Sequence, residues 1–139
     1  MILSNNKYSI EFDQKGSIIS LKSNGKEFVC SPLPLFSFKL RKADETIIIT
    51  SDEAIVSLIE NNEEKIVYSF EFNDILFKVT VTFDERISFN FSFINNTKKY
   101  VEWVIFPQIA VPNDLVKNGG SGRLVLDINE GLLVEDIRA

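Results

Sequence analysis

The chain has no histidine, so any acid/base chemistry falls to its carboxylates. Without imidazole there is no Ser-His-Asp or Cys-His catalysis, and no metal site that leans on histidine. Asp114, Asp127, Glu130, Glu135 and Asp136 gather late in the sequence. Glycoside hydrolysis needs two carboxyls facing each other across a defined gap, and linear spacing shows no such pair. These groups read as solvated turn and surface residues. Asp127-Ile128-Asn129-Glu130-Gly131 offers oxygen ligands beside a glycine but departs from the spacing of a calcium loop. No catalytic residue, metal or cofactor is expected. The single cysteine, Cys30, can form no intrachain disulfide and has no histidine to activate it; it reads as a buried or half-buried filler.

A second kind of chemistry, binding without turnover, is suggested between Trp103 and Arg123. Period-two alternation fails after Trp103, so the segment bends or is buried on both faces. Pro107 and Pro112 cannot donate to a ladder and point to an edge or a bulge. Asn118-Gly119-Gly120-Ser121-Gly122 is rich in glycine but matches neither a P-loop nor a dinucleotide fingerprint. A glycine-rich loop beside amide and carboxylate side chains presents hydrogen bonds without bulk. Trp103, Phe106, Gln108, Asn113, Asp114, Asn118 and Arg123 are therefore the candidate contacts for carbohydrate or a neighbouring domain. An ordinary hairpin loop accounts for the same glycines.

The elements that must position these residues are strands. Tyr8, Ile10 and Phe12 alternate with polar neighbours, as do Phe36, Phe38 and Leu40, then Phe77 to Phe83, then Ile87 to Phe93. Each reads as a strand with one face in a core and one in water. Asn24-Gly25 tolerates the positive φ values of a type I′ hairpin turn. Asn73-Asp74 and Asp84-Glu85 read as two-residue connections, making residues 64–95 a three-strand meander. Residues 101–111 read as a last long strand. Ala54 to Glu60 is the one stretch open to a short helix. The expected fold is all-β, an antiparallel β-sandwich of about ten strands forming a single domain over residues 1–139.

Twelve Phe against one Trp and three Tyr favour a structural core over a stacking surface, because Phe has no polar handle. A net charge of −5 argues against a nucleic-acid partner. No apolar run is long enough to span a membrane, and the N-terminus lacks the pattern of a signal peptide. Localisation stays open, because a cleaved signal would leave the same chain. The tripeptides Asn95-Asn96-Thr97 and Asn90-Phe91-Ser92 match the glycosylation pattern but carry no functional weight. The end of the chain stays apolar up to Ala139, so a longer parent protein is expected.

Two stretches resemble one group of proteins. Residues 8–21, with Asp13-Gln14-Lys15-Gly16 and Ile18-Ile19-Ser20-Leu21, followed by Gly25-Lys26-Glu27-Phe28, resemble the first hairpin of galactose-mutarotase-like β-sandwiches. Phe106-Pro107 through Gly122-Arg123-Leu124 and Asn129-Glu130-Gly131 resemble the end of the N-terminal sandwich of some large bacterial glycoside hydrolases. The resemblance implies a non-catalytic accessory sandwich that packs against a catalytic barrel of the same polypeptide and contacts carbohydrate. It places the catalytic carboxylates in the barrel, and the absence of histidine departs from mutarotase itself. A self-standing carbohydrate-binding module and a small-ligand β-barrel are the alternatives.

Overall fold

The computed structural model describes residues 1–111 and the backbone of 123–126 and 132–135. The expected all-β, sandwich-like fold is found, and no α-helix occurs among the described residues. One sheet has the order β1 (Ile2–Ser4), β2 (Tyr8–Phe12), β3 (Ile18–Ser23), β4 (Lys26–Glu27). A second joins β5 (Ser37–Lys42), β6 (Glu45–Thr50) and β11 (Tyr100–Ile105) in the order β11-β5-β6. The third runs β10 (Ile87–Asn95), β9 (Ile75–Phe83), β8 (Lys65–Phe72), β7 (Ile55–Asn61). Strands β12 (Arg123–Leu126) and β13 (Leu132–Glu135) pair with each other.

The core forms because alternate residues of β8 and β9 meet rings from both smaller sheets. Tyr68 on β8 packs on Phe12 of β2, with ring centroids 5.8 Å apart. Towards the other end of the layer, Phe70 and Phe77 pack on Phe36 at 5.0 and 4.7 Å, and Phe38 lies 4.8 Å from Phe77. The four-stranded β10-to-β7 sheet is thus one layer, and the two smaller sheets share the other. Each such buried ring contributes roughly 1.5–3 kcal/mol.

Turn chemistry acts where the sequence places it. Asn24 and Gly25 take φ values of 50° and 75° and close β3 onto β4. Phe72 pairs directly with Ile75, so Asn73-Asp74 is a two-residue turn. Strands β8, β9 and β10 form the expected meander.

Four local expectations are corrected. Ile87 pairs with Phe83, so the Asp84–Arg86 connection has three residues, closed by the Asp84 carboxylate accepting the Arg86 N–H. Residues 55–60 are strand, because β8 satisfies their backbone along β7; only Ser51–Glu53 makes a 3-10 turn. The last long strand stops at Ile105, and the chain turns through a cis Phe106–Pro107 bond and then meets Ser31 at an isolated bridge from Ala110, outside the strands. Cys30 is exposed, because Val29 is the residue turned into the core and its neighbour points outward.

Candidate functional site

Strand β11 lies at the edge of its sheet, and its register explains why alternation fails there. Tyr100 pairs with Arg41 and Val101 with Leu40, but the next pair is Trp103 with Lys39. Glu102 is an extra residue, a β-bulge. Strict alternation from Val101 would send Trp103 and Ile105 to the core and Val104 and Phe106 to solvent. The bulge reverses that: Val104 pairs with Phe38 and packs on the core, while Trp103 shares the outer face with Tyr100.

This outer face has defined chemistry. Across the three strands, Trp103, Lys39 and Ile48 stand in one row, and Tyr100, Arg41 and Thr46 in another. Tyr100 is 74% exposed, Ile48 59% and Ile105 51%, so apolar surface is available beside the half-buried Trp103. The extra residue supplies an anion between two cations. Glu102 accepts from Arg41 Nη2 at 2.9 Å and meets Lys39 Nζ at 3.2 Å. The Arg41 hydrogen bond foremost, with help from Lys39, holds its carboxyl below the usual range.

The candidates from the sequence divide. Trp103 lies on this face. Phe106 goes to the inner side, where its ring meets Phe91 at 4.9 Å and Phe89 at 6.1 Å. Gln108 donates its backbone N–H to Leu35 at 2.8 Å; its side-chain oxygen is buried and has no hydrogen-bond partner among the described residues. Asn113, Asp114 and Asn118 lie outside the described residues, as do Asp127 and Glu130. Arg123 opens β12, where it is paired with Glu135 along the backbone.

Tyr100, Lys39, Arg41, Glu102 and Ile48 escaped the sequence reading. The broken alternation at Trp103 was the available signal, since a bulge is one way to break it. Of the two sequon-like tripeptides, Asn95 has a structural duty: its side-chain oxygen accepts from the Thr97 N–H at 3.0 Å, and its amide donates to Lys99 O at 2.8 Å. Among the described residues, the interior is filled with rings where a ligand-binding barrel would need space, and the sheets are separate, not joined into one closed barrel. No membrane-length apolar helix and no cluster of metal-binding side chains occurs among the described residues. No family model, curated protein or solved structure matches the chain.

Proposed function

We propose that this chain is a non-catalytic accessory β-sandwich of a glycoside hydrolase, packing against a catalytic domain and contacting carbohydrate through the outer face of the β11-β5-β6 sheet. The observation that carries the reading is the bulge at Glu102, which brings Trp103 and Tyr100 to one face beside Lys39 and Arg41. A sugar ring has an apolar C–H face and a polar rim. Indole and phenol rings suit the first, while ammonium, guanidinium and carboxylate groups suit the second. Of the two stretches that carry the resemblance, residues 8–28 fold as a hairpin with a further short strand; most of the second lies outside the described residues.

Two carboxylates among the described residues, Glu102 and Glu27, are held ionised, which suits them to binding better than to proton donation. A general acid needs a raised pKa. Glu102 is displaced the other way. At Glu27 desolvation pushes upward, but bonds from Ser20 Oγ and the Leu21 and Val29 N–H groups, with Lys22 nearby, outweigh it and keep the group ionised.

The test is titration of soluble polysaccharides by calorimetry against the wild type, Trp103→Ala and Tyr100→Ala. Loss of at least about tenfold in affinity on removing the indole is expected, in line with an aromatic anchor. Binding that survives both substitutions overturns the carbohydrate contact. For the docking half, a coding region continuing in frame into a catalytic domain supports it, and a stop codon after Ala139 overturns it. The aromatic face also favours a second reading, a self-standing carbohydrate-binding module, which that stop codon together with retained sugar affinity would select.

A further inference from the structure

Strand β10 is the long edge of the four-stranded sheet, far from the chemistry of β11 in kind and independent of the function proposed above. Its nine residues pair with β9 without a single irregularity, and none of them is charged. Exposed edges are normally blunted by charge, proline or a bulge. The opposite edge, β7, is bulged at Ile59, and β11 at Glu102. Strand β10 has none of these devices. On its outer edge no described backbone group pairs with it.

Its sequence carries a second property. Ile87-Ser88-Phe89-Asn90-Phe91-Ser92-Phe93 reads nearly the same in both directions about Asn90. Antiparallel pairing of two copies about that residue sets Asn90 opposite Asn90, Phe89 opposite Phe91, Ser88 opposite Ser92, and Ile87 opposite Phe93. Every polar residue meets a polar one and every apolar residue an apolar one. The face on which the rings lie is the core side, yet Phe91 is 37% exposed and Phe93 42%. These two partly exposed rings are those that the second copy's Phe89 and Ile87 would flank.

We propose that β10 pairs with β10 of a second copy of this chain, antiparallel and centred on Asn90, so that the sheet runs continuously across a two-fold axis. Such an interface is self-complementary by symmetry, as a closed dimer requires. The absence of charge on β10 lets two chains of net charge −5 meet here without like charges opposed in the ladder.

The test measures mass by sedimentation equilibrium at physiological salt for the wild type and two double variants. Ser88 and Ser92 are exposed on the solvent side, so both positions accept charge without touching the core. In S88E/S92E the predicted register sets like charges directly opposite, twice per dimer; in S88K/S92E the same positions attract. Residue 92 neighbours Lys78 on β9 in both variants, so the two differ only at position 88. A wild-type dimer at about 100 µM is expected, with S88E/S92E dissociating at least about tenfold more readily than S88K/S92E. A wild type that is monomeric at that concentration overturns the proposal. So does a dimer whose dissociation constant is the same in the two variants.

Discussion

The Asp13–Ser17 turn and the β11 margin use polar groups in opposite ways. At the turn, the chain meets its own needs. The Asp13 carboxylate accepts from the N–H groups of Lys15 and Ser17 at 2.8 and 2.9 Å, and its carbonyl accepts from Gly16 at 3.1 Å. Gly16 sits at φ +78°, where a β-carbon would run into the Phe70 ring, and the Tyr68 hydroxyl donates to Asp13 O at 3.5 Å. At β11, an inserted residue aims an indole outward, Tyr100 and Ile105 stay exposed, and the Gln108 oxygen has no described partner. The difference teaches where each region's constraints lie. The turn is fixed from within by backbone geometry and packing, whereas the margin leaves surface for contacts with another molecule.

The largest expected effect breaks the turn. In Gly16→Ala the new methyl carbon would stand 2.8 Å from Phe70 Cζ, on a backbone conformation that L-residues rarely adopt. Strain and overpacking together are expected to cost about 3 kcal/mol, read from urea unfolding. A loss below about 1 kcal/mol would show that the turn yields, and that it is no more rigid than the margin.

A smaller effect comes from alkali. Burial foremost, then the Asp13 charge, pushes the Tyr68 phenol from 10.0 up to about 12. The fold therefore prefers the neutral phenol. Its contribution is complete below the unfolded value near 10 and declines as pH rises through 12, by about 2 kcal/mol. Urea midpoints of wild type and Tyr68→Phe, compared from pH 9 to pH 12, isolate this phenol from other titrating groups. Parallel curves for the two proteins would mean that Tyr68 is not held this way.

The smallest effect belongs to the margin. Deleting Glu102 leaves Tyr100, Val101, Trp103 and Val104 in the order that a regular ladder with β5 requires. Trp103 stays outward, and only an exposed ion-pair anion is lost. The melting temperature is expected to move by less than about 3 °C, with the Trp103 emission maximum unchanged. Global unfolding, or a blue shift showing the indole in the core, would refute the bulge as the device that aims it.

Much of this architecture was legible locally. Tyr8 to Phe12, Phe36 to Leu40 and Phe77 to Phe83 alternate in sequence and bury the expected residues, except that Tyr8 is half-buried. Asn24-Gly25 and Asn73-Asp74 carry their turn geometry in their residue types. The site was less legible. Trp103 could be singled out, but its companions Lys39 and Arg41 are about sixty positions away and reach it only through the β5–β11 ladder.

The sequence by itself determined the β class, the inward face of most strands and the self-matching order of β10, because these depend on neighbours one or two residues apart. Tertiary structure alone decided three matters: that β11 pairs with β5, that Glu102 is the residue squeezed out of the ladder, and that Phe106 turns inward while Trp103 turns outward. The physical reason is parity. A one-residue bulge reverses every side chain beyond it without changing composition. Where it forms depends on which arrangement buries Val104 and Phe106 against rings supplied by β5 and β10, and that comparison exists only once the sheets have met.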